Sequence, residues 1–373
     1  MSRCVSTLIL LACLSFAHAQ TPPPVIGKAY LVADLSSGQI LASEKADERF
    51  EPASLTKLMT AYLVFQALKD KKLALGQAVP VSEKAWRASG SRMFIEPRRP
   101  VTVDELIRGM IVQSGNDACV ALAEAIGGSE DVFAQMMNRE AQRLGMKNSS
   151  FMNASGLPDA NHYSSAHDMY LLAAALIRDF PEQYATYYSI KEYRYNNITQ
   201  MNRNRLLWLD PAADGVKTGF TEAAGYCLVA SSQRGSRRLL SVLLGSTSES
   251  VRAQESQKLL NWGFQFFDAV RLYEKGQAVK AIEVWKGGAP QVKAGFPGDM
   301  YVTIPKGQAD KLKADLLAQQ PLLAPIQKGQ KIGVMRVTLD GKAIGEYPVL
   351  ALESVGVAGI LGRAWDTLRL WLK

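Results

Sequence analysis

Strand-like patterns sit near the start of this chain and again far downstream, with helical spacing between them. Ala29–Leu35 and Gln39–Ser43 are apolar runs that flank Ser36-Ser37-Gly38, and they read as a hairpin with Gly38 in the turn. Val216–Thr218, Tyr226–Ser231 and Leu239–Leu244 read as strands, with Gly and Ser-Gln-Arg-Gly turns between them. The intervening stretch carries helical spacing at Leu55–Leu68, Val103–Val112, Asp117–Ile126, Glu130–Leu144 and Asp168–Ile177, and Ser250–Phe267 returns to it. Pro52 stands just ahead of the first of these helices, and Thr102 with Glu105 forms a capping box for the second. Strands from both ends of this region can share one sheet, so the expected class is α+β.

From about Lys275 the character changes. Val279–Trp285, Gln291–Ala294, Met300–Ile304 and Val334–Leu339 read as short strands, and Leu339-Asp340-Gly341-Lys342 is a two-residue hairpin signal. A small all-β domain is expected over 275–352. In the tail, Ile360, Leu361, Ala364, Trp365, Leu368, Trp371 and Leu372 share one helical face, while Arg363, Asp366, Arg369 and Lys373 lie opposite. Two readings suit a helix over 353–373: one lying in a membrane interface, with its tryptophans at the headgroups, or one docked on the β domain.

The first residues form a third region. Met1–Arg3 is positive, Val5–Ala17 is nearly all apolar, and Ala17-His18-Ala19 offers a cleavage site, so 1–19 reads as a secretory signal and 20–274 as the catalytic domain. A lipoprotein signal cut before Cys13 is the alternative. Cleavage after Ala19 leaves two cysteines, Cys119 and Cys227, which read as buried thiols with a bridge as the other option. It also leaves two histidines, His162 and His167, too few for an ordinary zinc site, so no metal or cofactor is expected. The net charge of +8 points an exported protein toward the anionic envelope or membrane surface, not nucleic acid.

Three short motifs carry the chemistry: Ser54-Leu55-Thr56-Lys57, Ser114-Gly115-Asn116 and Lys217-Thr218-Gly219. Each alone is weak, because such short strings arise by chance in solvated helices and turns. In this order they match a known serine acyl-transfer signature. Ser54 at a first helical turn has unpaired N–H groups beside it, and Lys57, three residues on, shares its face. A lysine acts as a base only when neutral, and burial with a second cation, Lys217, would lower its pKa. Ser114 can relay a proton and Asn116 can hold a substrate amide. The Lys217–Gly219 strand can pair with an extended peptide, Thr218 and Lys217 can meet its carboxylate, and the small Gly219 lets the acyl group approach. The N–H groups of Ser54 and Phe220 can form an oxyanion hole. A Ser-His-Asp triad has only His162 and His167 to draw on and no Gly-x-Ser-x-Gly nearby.

At these residues the chain resembles the low-molecular-mass penicillin-binding proteins of the 5/6 type, the serine D-alanyl-D-alanine carboxypeptidases of peptidase family S11. Pro52–Lys57, Gln113–Ala118, Asn202–Trp208, Asp214–Gly219 and Leu259–Phe264 carry the resemblance, which covers nearly the whole mature chain. It implies a β-lactamase/transpeptidase-like catalytic domain, followed by a small all-β domain and an amphipathic helix. It implies a stem-peptide substrate ending in D-Ala-D-Ala, β-lactams as covalent inhibitors of Ser54, and a periplasmic location on the outer face of the cytoplasmic membrane. It also places Arg252 toward the substrate carboxylate and Arg203 near the site, with structural ion pairs as the alternative for both. Phe220 stands where some relatives carry histidine. The rival readings are a β-lactamase using Glu192 and Asn196, an endopeptidase or transpeptidase on the same acyl-enzyme, and a non-catalytic membrane-surface scaffold.

Overall fold

The computed structural model describes residues 21–372, so the expected signal segment and Cys13 lie outside the described residues. The central sheet has five antiparallel strands: β1 (Ala29–Asp34), β2 (Ile40–Glu44), β3 (Ala213–Thr221), β4 (Gly225–Arg234) and β5 (Arg237–Ser246). Their order is β2-β1-β5-β4-β3, so β1 from the start of the chain pairs with β5, Tyr30 opposite Leu243. The hairpin turns at Gly38, whose φ of 73° is open to glycine without strain.

Both faces of this sheet are covered, which is why every residue of β1 is buried. On one side Tyr30, Val32 and Leu243 pack with Leu259 and Trp262 of a long C-terminal helix, Glu249–Phe266. On the other, Leu31, Ala33, Val242 and Leu244 join the main core with helices α1 (Lys57–Lys69), α2 (Val103–Val112), α3 (Asn116–Gly127), α4 (Glu130–Arg143) and α5 (Ala166–Asp179). The long helix Glu249–Phe266 is α6. The expected capping box opens α2: the Glu105 N–H donates to Thr102 Oγ1 at 3.3 Å, and the Thr102 N–H donates to Glu105 Oε2 at 2.8 Å.

The strands of the second unit are β6 (Phe267–Tyr273), β7 (Ala278–Glu283), β8 (Gln291–Gly295), β9 (Met300–Pro305), β10 (Leu312–Ala318), β11 (Lys331–Leu339) and β12 (Lys342–Ala351). They form a β6-β9 pair and a sheet in the order β7-β8-β12-β11-β10 around a separate core. The pairing of β6 with β9 begins at Phe267, ahead of the expected change at Lys275, because the backbone passes from α6 into β6 with no linker between. The Asp340-Gly341 turn joins β11 to β12 with φ of 50° and 77°, as a twisted two-residue hairpin requires. The two units touch where Ser37 Oγ meets Thr303 Oγ1 at 2.7 Å and Gln39 Nε2 donates to Thr303 O at 3.2 Å.

The tail forms helix α7 (Ile360–Trp371). Its polar side meets the β unit: Asp366 accepts the Lys286 N–H at 2.6 Å, and Arg369 lies over the Trp285 ring. Leu361 is 87% exposed and Trp371 83%, so the apolar side is the one left uncovered.

Candidate active site

Ser54 stands in a short 3₁₀ turn, Ala53–Thr56, that runs straight into α1. The turn is held from two sides. A Cβ on Gly219 of β3 would come within 3.0 Å of Pro52 O and 3.3 Å of Ala53 Cβ, and one on Gly156 would overlap Ala53 O. The missing side chain at Gly219 therefore lets β3 pack against the nucleophile turn, while Gly219 also borders the cavity described below.

Lys57, at the first position of α1, is 1% exposed. Its Nζ lies 3.0 Å from Ser54 Oγ, 2.7 Å from Asn116 Oδ1 and 2.6 Å from Ser155 O. Burial brings its pKa down from 10.5 to about 8, with Arg203 pushing the same way. Lys217 on β3 is also buried, and its Nζ donates to Thr218 O at 2.9 Å. Burial, then the nearby Lys57 and Arg203, hold its pKa well below the usual lysine value.

The second motif joins α2 to α3. Ser114 has φ of 61°, a left-handed conformation that costs a non-glycine residue about 1–3 kcal/mol and is typical of functional sites. Its buried Oγ has no partner among the described residues. Asn116 opens α3, accepts from Lys57 and donates through Nδ2 to Ser89 O at 2.6 Å.

The hydroxyl and amide members of this constellation border a cavity of about 440 Å³. Ser54, Ser114, Asn116, Thr218, Gly219 and Phe220 line it, as do Arg203 and Arg252. Lys57 and Lys217 are not among its lining residues. Arg252 is 3% exposed; its guanidinium donates to Gly219 O at 3.3 Å and Arg203 O at 3.2 Å, and lies 3.6 Å from Glu249. Phe220 is half exposed and packs on Tyr226, with ring centroids 4.5 Å apart.

This arrangement matches a described family over most of the chain. The D-alanyl-D-alanine carboxypeptidase family matches residues 16–248. The chain belongs to this family. Residues 267–357 match the C-terminal domain of penicillin-binding protein 5. The carboxypeptidase DacC of Escherichia coli is 44% identical over 96% of this chain and 92% of its own. Penicillin-binding protein 5 from Haemophilus influenzae superposes with a TM-score of 0.86 at 43% identity, covering 90% of this chain and 99% of that one. Penicillin-binding protein D2 from Listeria monocytogenes, in its ampicillin-bound form, gives a TM-score of 0.60 at 30% identity over 66% of this chain and all of that one.

The structure of this carboxypeptidase-family chain bears on the rival designs too. His162 is buried, which lowers its pKa to about 4. Its Nδ1 accepts the Met152 N–H at 3.3 Å, so Nε2 carries the proton and donates to Thr56 Oγ1 at 2.9 Å. It braces the nucleophile turn. His167 pairs with Asp47 instead. Glu192 and Asn196 sit on a separate hairpin, where Asn196 bonds Arg99 and Glu96, and neither lines the cavity. Cys119 and Cys227 are buried and unpaired.

Two parts of the site went unread in the sequence. Loop 153–158 supplies Ser155 O to Lys57 and lines the cavity through Gly156, Leu157 and Pro158; an Asn-x-Ser-Gly-x-Pro string is a turn signal that could have marked it. Asp117 is fully buried, and its carboxylate accepts the N–H groups of Met93, Phe94 and Ile95 at 2.9, 2.8 and 3.3 Å. It thereby fixes the segment that contributes Ser89, Gly90 and Ser91 to the site. Asp117→Ala would leave four N–H groups without that acceptor, Ala118's among them, and is expected to lower unfolding stability by about 2–4 kcal/mol. Urea denaturation checks this, and a loss under about 0.5 kcal/mol would remove the anchoring role.

Proposed function

We propose that this protein is a penicillin-sensitive serine carboxypeptidase that removes the terminal D-alanine from stem peptides ending in D-Ala-D-Ala. The observation that carries the reading is the buried Lys57 amine 3.0 Å from Ser54 Oγ, which lines a cavity that Arg203 and Arg252 also line. With a pKa of about 8, roughly a tenth of Lys57 is neutral at pH 7, against about 3 parts in 10⁴ for an ordinary lysine. Burial thus raises the supply of free base some 300-fold.

In the first half-reaction the neutral amine takes the Ser54 proton while Oγ attacks the carbonyl carbon of the penultimate D-alanine. The N–H groups of Ser54 and Phe220 hold the developing oxyanion. The C–N bond then breaks, and the proton on Lys57 reaches the leaving amine through Ser114, whose Oγ is left unpartnered for that exchange. Asn116 holds the substrate amide, and strand β3 lies alongside the extended peptide. Thr218, Arg203 and Arg252, which line the cavity, attract its terminal carboxylate. In the second half-reaction water adds to the ester and frees Ser54. A β-lactam enters the same path and stays on Ser54; the ampicillin-bound neighbour supports this part of the reading. An amine acceptor in place of water would make a transpeptidase. Release of free D-alanine from a pentapeptide, without cross-linked product, tests the assignment, and cross-linked product alone would overturn it.

The cell location follows the signal segment and the tail. The protein is exported to the periplasm, and 20–274, 275–352 and 353–373 act as catalytic unit, β unit and membrane-associating helix. No helix among the described residues is long and apolar enough to cross a membrane. The uncovered side of α7, with Trp365 and Trp371 exposed, fits attachment in the plane of the interface. Deleting 357–373 is expected to move the protein from the membrane pellet to the soluble fraction. A truncated form that still sediments with membranes contradicts this.

A further inference from the structure

A neutral amine has two N–H bonds and one lone pair, whereas an ammonium has three N–H bonds and none. Lys57 Nζ faces three oxygens, and two of them, Asn116 Oδ1 and Ser155 O, can only accept. When Lys57 is neutral, those two carbonyls take both N–H bonds, and the lone pair is left facing Ser54 Oγ. After the proton moves, the ammonium donates its third N–H to the now esterified Oγ, and every group stays satisfied. The aim of the base therefore depends on where Ser155 O is held.

Ser155 O is held by its neighbour two residues back. Asn153 Oδ1 accepts the N–H groups of Ser155, Gly156 and Leu157 at 3.2, 2.7 and 3.1 Å, and the Ser155 hydroxyl at 3.2 Å. Its Nδ2 donates to Leu157 O at 2.9 Å. This closes 153–157 into a rigid ring of bonds, which is stitched to α1 again where Thr60 Oγ1 donates to Ala154 O at 2.6 Å. Gly156, at φ of 85°, lets the ring sit against the nucleophile turn.

We propose that Asn153 is a positioning residue for the acyl transfer: it presents the Ser155 carbonyl to Lys57 and so turns the lone pair of the free amine onto the Ser54 hydroxyl. This rests on Lys57 being the base.

The test is the rate of Ser54 acylation by a fluorescent penicillin, measured against pH and drug concentration on the full chain. Asn153→Ala is expected to lower the high-pH plateau about 10²-fold, the scale of a roughly 1 Å misplacement, with initial binding unchanged. Asn153→Asp keeps the acceptor for the three N–H groups, so it restores most of the plateau. Its added charge near Lys57 moves the midpoint to higher pH. A merely structural residue would leave the plateau of folded Asn153→Ala protein unchanged. An Asn153→Ala plateau within about threefold of wild type overturns the proposal. If that variant does not fold, an Asn153→Asp midpoint at the wild-type pH overturns it. Lys57→Met retaining the wild-type rate would instead sink the base assignment itself.

Discussion

The Ser54→Ala protein is expected to fold and to form no covalent adduct with a fluorescent penicillin, with D-alanine release reduced by about 10⁵–10⁶-fold. Ser54 Oγ is the only atom of the nucleophile turn that the reading asks to make a bond, and the other two hydrogen-bond partners of Lys57 Nζ are the amide oxygen of Asn116 and the backbone carbonyl of Ser155. Ser54 is only half-buried, so losing its hydroxyl opens no cavity in the core. Lys57 keeps two of its three partners. Thermal unfolding should therefore differ from wild type by under about 1 kcal/mol, which separates loss of chemistry from loss of fold. Labelling that persists in this variant would assign the nucleophile elsewhere.

The second large effect comes from Lys57→Met. Methionine matches the unbranched stem of lysine and carries no amine. The acylation rate is expected to fall about 10³–10⁴-fold, in the upper range for loss of a general base. The residual rate should lose the ionisation near pH 8 that burial gives the wild-type amine. The sign follows from the direction of the shift. Folding disfavours the charged form of Lys57, so the active neutral form grows as pH rises through about 8, and the wild-type rate climbs over that range. The substitution also leaves Asn116 Oδ1 and Ser155 O facing a thioether, so a modest loss of stability accompanies it.

Much of this was readable in the residues, for identifiable reasons. Gly38, the Thr102–Glu105 box and Asp340-Gly341 are local signals: each acts within a few residues of backbone, and each appears where expected. The apolar run at Ala29–Leu35 marked a strand, and the packing of its two faces into separate clusters explains why every residue of β1 is buried. Strand β10 was passed over, although Leu312, Ala314, Leu316 and Ala318 alternate inward, because lysine, aspartate and exposed leucine between them weaken the pattern. The three motifs named most of the site. They did not name Asp117 or Asn153, whose carboxylate and amide act on segments distant or irregular in sequence, where no periodicity points to a partner. Gly219 was read for what its missing side chain would give the substrate. The adjacent turn at Pro52 and Ala53, brought there by folding alone, packs against the same position and was not foreseen.

The central claim is that a neutral lysine, not an imidazole, takes the serine proton. The pH dependence of the acylation rate constant under single-turnover conditions tests it most directly. The expected profile rises almost tenfold from pH 6 to 7, is half-maximal near 8 and is level above about 9. A rate constant that is flat from pH 6 to 9.5, or one still climbing past pH 10 as for an unburied amine, would contradict it.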